Sequence, residues 1–304
     1  LLAAERRWKM GGEGSLMNLE GGDKSAKPEE TDIEDVLEAQ AKAEGQTYSD
    51  FLKLDELLAL QPGFDNNSDS LLFFTLHQTK ELWMRVMCVE TISARDSLLE
   101  GQVGPALKTL ARVRSIQQIM IESWSSLATM TPVDYLSFRK NLGSSSGFQS
   151  PGYRKLEFVL GQKDKRFLMP HKKSPNDYEN LAEVLKQPSL YDGALHYLHQ
   201  VGLPIPINRL ERDWSEPYTF SQGVHDAWKV VYDDTENRFQ EYHLAEILVD
   251  IEYDFQLWRF KHFKTVERII GSKTGTGGSS GVSYLKLAID RYFYPELWEV
   301  RGAL

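Results

Sequence analysis

Hydrophobic positions recur every three to four residues along most of the chain, which is the spacing of an amphipathic helix. The longest such stretch runs from Phe239 to Ile269, and neither proline nor glycine occurs between Gly223 and Gly271. The polar residues 233–237 interrupt the pattern once. The sequence therefore predicts a helix, a break at residues 233–237, and then a long helix that ends near Gly271.

The same spacing predicts helices elsewhere, and we find no alternating pattern long enough for a useful strand. The predicted helices cover residues 31–44, 50–60, 71–100, 105–129, 132–142 and 283–292, and the proline-rich stretch 148–220 predicts short helices joined by loops. The expected fold class is all-α, a bundle of long antiparallel helices. Residues 1–30 are expected to be a flexible segment, and residues 31–304 a single catalytic domain.

Composition and charge exclude several classes of protein. The formal net charge of −9 and the lack of a basic stripe argue against nucleic acid as a partner. The only cysteine, Cys88, excludes an internal disulfide framework, a cysteine-rich zinc site and haem attached through a pair of cysteines. The sequence contains no run of 18 apolar residues, which a membrane-spanning helix would need. We therefore expect a cytoplasmic protein.

Two histidines lie on apolar faces of predicted helices. His262 comes one turn after Trp258 and one turn before Val266, and His77 comes one turn after Phe73. A lone histidine in such a position is most often a hydrogen-bonded core residue. The functional alternative is that His262 is the axial ligand of a haem iron and that His77 faces the bound substrate or ligand.

Two polar groups near residue 139 could bind a carboxylate. Tyr135, Arg139 and Leu142 are spaced to share one helical face, and the serine-rich residues 143–147 follow them. An arginine on a short helix is usually solvated, but with a tyrosine hydroxyl one turn away it can hold a carboxylate through several hydrogen bonds.

The loop 271–281 contains glycine at five of its eleven positions. Its spacing does not match a phosphate-binding P-loop, and Gly/Ser tracts are often simple linkers. Because it lies between two strongly predicted helices and carries Thr276, it could instead close over a ligand as a lid. His196 and His199 lack a third metal ligand with suitable spacing, and we expect them on the surface.

Three segments together resemble the tryptophan 2,3-dioxygenase family. They are residues 76–83 (LHQTKELW), residues 138–150 ending in SGFQS, and residues 275–281 (GTGGSSG). They follow one another in the family's order, and the resemblance extends from about Tyr48 to the end of the sequence. It implies an all-α, haem-dependent, homotetrameric enzyme.

The resemblance also implies roles for the candidate residues. His262 matches the proximal ligand of the iron of haem b, and the step of 14 residues to Thr276 agrees with the family. Trp258, one turn earlier, is expected to line the cofactor. His77 matches the distal histidine near the indole N–H.

The substrate-binding residues implied by the resemblance come from two parts of the chain. Arg139 and Tyr135 match the groups that bind the amino-acid carboxylate, and Thr276 matches the residue that contacts the ammonium and carboxylate end as the loop closes. Phe73 and Leu142 fall on indole-pocket positions. In this family an N-terminal segment completes the pocket of a neighbouring subunit. Tyr48, Phe51 and Leu52 match that segment here.

The implied reaction inserts O2 across the indole C2–C3 bond of L-tryptophan, or of a close derivative, and gives an N-formylkynurenine-type product. Three positions depart from the family pattern: Phe51 and Lys80 stand where tyrosine is usual, and Pro151-Gly152 replaces a connection containing glutamine. Some relatives insert one oxygen and form a 2-oxindole, so this monooxygenation is the alternative expectation. A haem-binding sensor without turnover and a helical scaffold without cofactor are the non-enzyme alternatives.

Overall fold

The computed structural model describes residues 32–61, 67–271, 273, 275–276 and 281–304, and every regular element in these ranges is helical. The predicted all-α fold is confirmed. The α-helices are α1 (Ile33–Lys42), α2 (Tyr48–Leu52), α3 (Leu54–Ala59), α4 (Ser68–Leu99), α5 (Val103–Leu127), α6 (Pro132–Phe138), α7 (Pro151–Leu160), α8 (Pro175–Leu185), α9 (Leu190–Gln200), α10 (Ile207–Leu210), α11 (Gln222–Asp233), α12 (Phe239–Ile270), α13 (Gly281–Ile289) and α14 (Pro295–Glu299). Short 3-10 helices cover Arg139–Leu142, Gly147–Gln149, Lys165–His171 and Val300–Ala303.

The chain divides into two compact units, one ending at Leu57 and one running from Leu58 to Leu304. In the first unit, α1 buries none of its residues, although its cap is well formed: the Asp32 side chain accepts a hydrogen bond from the backbone N–H of Glu34 at 3.1 Å. The expected division into a flexible residues 1–30 and one catalytic domain stays a prediction, since residues 1–30 lie outside the described residues.

Three long helices of the second unit, α4, α5 and α12, build the core that carries the candidate site. α5 packs against both α4 and α12. Its inward stripe, from Ala106 through Leu110, Val113 and Met120 to Trp124, is almost completely buried. Helical periodicity places these residues on adjoining faces of α5, which allows this helix to contact both neighbours.

The ends of these helices follow from local chemistry. Asn67 caps α4, because its side-chain oxygen accepts hydrogen bonds from the backbone N–H groups of Asp69 and Ser70 at 2.9 and 3.2 Å. The predicted break at residues 233–237 is confirmed between α11 and α12. α12 ends at Gly271, whose φ of +58° is the left-handed conformation that favours glycine.

Three sequence expectations need correction. The stretch 50–60 is two helices rather than one, since Lys53 adopts a left-handed φ of 54° between them. The helix predicted over 132–142 becomes a 3-10 helix from Arg139 onward. The helix predicted over 283–292 is Gly281–Ile289, and it is not the final one, because α14 and a 3-10 helix follow.

The C-terminal elements are held by a buried carboxylate that the sequence pattern does not reveal. Glu252 on α12 accepts hydrogen bonds from the backbone N–H groups of Phe293 and Tyr294 and from the Trp298 indole at 2.8 Å. These contacts are long-range in sequence, which explains why local periodicity misses α14.

No helix among the described residues is both long and apolar enough to cross a bilayer. The same residues contain no cluster of three or more His, Cys, Asp and Glu that could hold a metal ion. His199 is exposed as expected, whereas His196 is partly buried and its Nε2 lies 3.1 Å from the Leu210 carbonyl oxygen.

Candidate active site

The candidate carboxylate-binding pair lies at the end of a well-capped helix. The Thr131 side chain and the Asp134 carboxylate cap α6 reciprocally, and Pro132 occupies its first turn. This start positions Tyr135, which is 8% exposed, one turn before Arg139. The guanidinium carbon of Arg139 lies 6.0 Å from the centre of the Tyr135 ring. Tyr135 and Arg139 are therefore neighbours in the fold, and their joint binding of a carboxylate stays a prediction.

An aromatic wall connects this pair to α4. The Phe73 ring lies 6.0 Å from Tyr135 and 5.5 Å from Phe138 between ring centres, and 4.2 Å from the His77 imidazole. Leu142 packs against the same core. Phe73 therefore contacts both His77 and Tyr135. The assignment of Phe73 and Leu142 to an indole pocket stays a prediction.

The protonation of His77 follows from one hydrogen bond. Its Nδ1 lies 2.7 Å from the Phe73 carbonyl oxygen, which can only accept, so Nδ1 carries the hydrogen. Burial lowers the pKa of His77 to about 4, with a smaller effect of the nearby Lys80. A neutral imidazole with its hydrogen on Nδ1 presents Nε2 as a hydrogen-bond acceptor.

His262 lies between two tryptophans. Its ring stacks on Trp124 of α5, with ring centres 4.6 Å apart and planes 10° apart, and Trp258 lies 5.5 Å away. The pKa of His262 falls to about 3, first because of burial and then because Lys80 and His77 are close by. The imidazole is therefore neutral near pH 7, which is the form that binds iron.

Lys80 points into the same region. Its side chain is 3% exposed, and its Nζ lies over the Trp124 ring, 2.7 Å from the ring centre and 5.9 Å from that of Trp258. Nζ has no hydrogen-bond partner among the described residues. Burial lowers the pKa of Lys80 to about 6.

The glycine-rich loop reaches the serine-rich turn. The Thr276 hydroxyl donates a hydrogen bond to the backbone oxygen of Ser145, three residues after Leu142. Most of the predicted lid, including residues 277–280, lies outside the described residues. The contact nevertheless brings the two polar motifs of the sequence together.

The departure at Pro151-Gly152 has a structural reason. Pro151 occupies the first turn of α7, where the missing N–H costs nothing. The Ser150 hydroxyl donates to the Glu81 carboxylate, and a Cβ on Gly152 would collide with that carboxylate. Glycine at this position therefore leaves room for the bond between α4 and the start of α7.

Three predicted residues belong to the other unit. Tyr48, Phe51 and Leu52 lie on α2, where their side chains are 74%, 72% and 40% exposed. Such large exposed apolar groups on one short helix are typical of a surface that is covered in an assembly.

The region around His262 suits a flat cofactor with acceptor groups at its edge. Haem needs a neutral imidazole for its iron and apolar walls for its ring, and His262 with Trp124 and Trp258 supplies both. A buried donor here, Trp258 Nε1, lacks an acceptor among the described residues and is available to a group at the edge of the cofactor. The residues present therefore fit a haem.

Comparison with known proteins shows the family to which the chain belongs. The profile of the family described as tryptophan 2,3-dioxygenase matches residues 34–230 and 208–304. The chain belongs to the tryptophan 2,3-dioxygenase family. It is thus a haem-dependent oxidoreductase that uses O2, and the expected fold, enzyme class and cofactor are confirmed.

Several curated relatives carry the family's name. The chain is 47% identical to tryptophan 2,3-dioxygenase of Bacillus cereus (strain ATCC 10987 / NRS 248) over 261 residues, which are 86% of this chain and 94% of the relative. It is 48% identical to that of Serratia proteamaculans (strain 568) over 257 residues, 84% of this chain and 92% of the relative. Tryptophan 2,3-dioxygenase 1 of Ralstonia nicotianae is 44% identical over 262 residues, 86% of this chain and 89% of the relative.

One residue beside His262 could not be predicted from the sequence. Trp124 is visible only as an apolar position on the stripe of α5, and its stacking on His262 joins residues 138 positions apart. No local signal distinguishes this tryptophan from an ordinary core residue.

Proposed function

We propose that this chain catalyses the dioxygenation of the indole ring of L-tryptophan, which cleaves the C2–C3 bond and gives N-formylkynurenine. The observation that carries the proposal is the neutral His77, fixed by the Phe73 carbonyl so that Nε2 accepts a hydrogen bond. The ring of Phe73 lies 6.0 Å from that of Tyr135, and His77 is close enough to His262 to lower its pKa. When bound, the haem supplies the O2 chemistry that the side chains lack.

The carboxylate of the amino acid is assigned to Arg139 and Tyr135. A guanidinium binds a carboxylate through charge-assisted hydrogen bonds, and the phenol adds a neutral donor. Burial raises the pKa of Tyr135, so that its hydroxyl keeps its hydrogen at neutral pH. Phe73 and Leu142 provide apolar contact for the indole.

The indole N–H is assigned to Nε2 of His77. Because this nitrogen is an acceptor only while the ring is neutral, the low pKa keeps the contact available at physiological pH. The contact orients the ring and holds the indole proton at a defined atom. His77 therefore positions the substrate, and its neighbour Phe73 sets its tautomer.

The cofactor is assigned to His262, with Trp124 and Trp258 as walls. A neutral imidazole stacked on one indole and flanked by a second has little rotational freedom, which suits a residue that would hold the haem iron. Thr276 is assigned to the ammonium and carboxylate end of the substrate. Its hydrogen bond to Ser145 supports this, because it brings the loop beside the residues that follow Leu142.

The pocket is completed by a neighbouring subunit in this proposal. The support is the exposure of Tyr48, Phe51 and Leu52 on α2 together with the resemblance to a homotetrameric family. Phe51, which lacks a hydroxyl, would contribute apolar contact alone. We propose a homotetramer on the same grounds.

The alternatives have less support. The curated relatives are all dioxygenases by name, and they lend no support to monooxygenation to a 2-oxindole or to a sensor. The Arg139–Tyr135 pair also favours an enzyme, since a gas sensor does not need an amino-acid clamp.

Product mass decides among these functions. Ferrous, haem-loaded enzyme would be mixed with L-tryptophan and 18O2, and the product analysed by mass spectrometry. We expect two labelled oxygen atoms and the mass of N-formylkynurenine. One labelled oxygen would establish the 2-oxindole instead, and a Soret band without turnover of tryptophan or its methylated derivatives would establish a binding protein.

A further inference from the structure

Lys80 is the one residue of the candidate site for which the proposed reaction has no use so far. It is almost fully buried, and its amine has neither a hydrogen bond nor an ion pair among the described residues. Leaving a buried amine without a polar partner costs free energy. Its contact with the face of Trp124, with Nζ 2.7 Å from the ring centre, is therefore its main stabilising interaction.

Trp124 in turn lacks the usual means of fixing an indole. Its Nε1 has no acceptor among the described residues, so no hydrogen bond sets the rotation of the ring. A torsion between a tetrahedral carbon and an aromatic ring has broad minima, and only ring contacts can fix it. These contacts are the parallel His262 ring at 4.6 Å, the tilted Trp258 ring at 5.5 Å and the Lys80 amine.

We propose that Lys80 is a positioning residue for the haem ligand: its amine fixes the Trp124 indole, and this indole fixes the rotation of the His262 imidazole. The inference rests on the proposed function, in which His262 holds the iron. Lys80 acts through Trp124 and does not itself need to touch the cofactor or the substrate.

The interaction does not depend on the charge of the amine. A protonated amine is attracted to the face of an indole as a cation, and a neutral amine can direct an N–H at the same face. Methionine at position 80 would keep much of the length and apolar contact of the side chain but lose both interactions. Arginine would keep them, since a guanidinium stacks on aromatic faces.

The test is a resonance Raman measurement of the iron–histidine stretching band in ferrous, haem-loaded protein. We expect Lys80→Met to bind haem but to show a displaced and broadened band, because the imidazole samples more than one rotation. Lys80→Arg should restore the band of the unmodified protein. Lys264→Met removes an exposed lysine two residues after His262 and should leave the band unchanged, which makes it the matched control.

A double substitution tests whether the effect passes through Trp124. Trp124→Leu should displace the band by itself, and adding Lys80→Met should cause no further change. An unchanged band in Lys80→Met, or additive displacements in the double variant, would overturn the inference. Absence of any iron–histidine band in the unmodified protein would instead refute the proposed function, so the two failures are distinguishable.

Discussion

At the scale of single residues, burial sorts the basic groups of the site into neutral and charged ones. Burial lowers the pKa of His77, His262 and Lys80 to about 4, 3 and 6, so the two imidazoles are neutral near pH 7 and most of the amine is too. Arg139 carries a guanidinium, which is a permanent cation. The two imidazoles can therefore accept a hydrogen bond or bind a metal ion, and the guanidinium can bind an anion.

Removing that fixed charge should affect substrate affinity. We expect Arg139→Ala to raise the KM for L-tryptophan roughly 10- to 150-fold, because a hydrogen bond to a charged group contributes about 1.5–3 kcal/mol. Lys140→Ala removes the neighbouring exposed cation and serves as the control. Steady-state kinetics of both variants would check this. If the Arg139→Ala variant and the unmodified protein had equal KM values, the assignment of Arg139 to the substrate carboxylate would be wrong.

Replacing the assigned ligand should abolish stable haem binding. We expect His262→Ala to show no stable Soret band after reconstitution and gel filtration, since it lacks the imidazole that would bind iron. His243→Ala, an exposed histidine on the same helix, should retain the band. An intact spectrum in the His262 variant would contradict the ligand assignment.

The buried lysine also predicts how stability depends on pH. In the folded protein Lys80 has a pKa of about 6, below the usual value of 10.5, so between these values the unfolded chain binds more protons and stability rises with pH. Before haem reconstitution, Lys80→Met should therefore be more stable than the unmodified protein at pH 6 and below. The difference in the free energy of unfolding between this variant and the unmodified protein should become smaller as the pH rises toward 10.5. Denaturant midpoints measured at several pH values would show this, and a constant difference would contradict it.

At the scale of helices, much could be predicted because long amphipathic stripes dominate the chain. The break before α12 and its end at Gly271 both follow from residues visible in sequence. The change to a 3-10 helix at Arg139 and the C-terminal α14 could not be predicted, since they depend on tertiary contacts such as those of Glu252. The candidate site shows the same limit, because His77 lies in a recognisable motif and His262 lies at a fixed step before another, whereas Trp124 has no such signal.

The cap of α6 should matter for substrate binding, because this short helix carries Tyr135 and Arg139. We expect Thr131→Ala to lower the free energy of unfolding by about 1 kcal/mol and to raise the KM for L-tryptophan, while haem binding persists. Thr129→Ala removes a nearby exposed hydroxyl that donates to the Ser126 carbonyl within its own turn, and serves as the control. Unfolding curves and kinetics together would test this, and an unchanged KM would show that α6 tolerates loss of its cap.

At the scale of the whole molecule, the question is whether one chain makes a complete site. The second unit, Leu58–Leu304, contains the residues proposed above to bind the haem iron, the indole N–H and the substrate carboxylate. The first unit contains α2, whose Tyr48 and Phe51 are exposed. If α2 completes the pocket of another subunit, activity is a property of the assembly.

Subunit mixing tests this arrangement. We expect low activity for a Tyr48→Ala/Phe51→Ala chain and for an Arg139→Ala chain when each is assembled alone. In each case every pocket lacks one of the two groups of side chains that the proposal assigns to it. Unfolding and refolding the two together should restore part of the activity, since some pockets then combine the intact α2 with the intact Arg139. No recovery in a mixture shown to contain both chains would refute sharing between subunits. The activity of each variant refolded alone is the control.

The Trp124 indole meets a side chain from α4 and one from α12 while belonging to α5. A single ring thus lies where three helices meet, beside the histidine assigned to the haem. The absorbance of the loaded protein should therefore report on how these helices pack. A substitution in α5 that moves this ring should change the absorbance spectrum of the loaded protein while the haem stays bound.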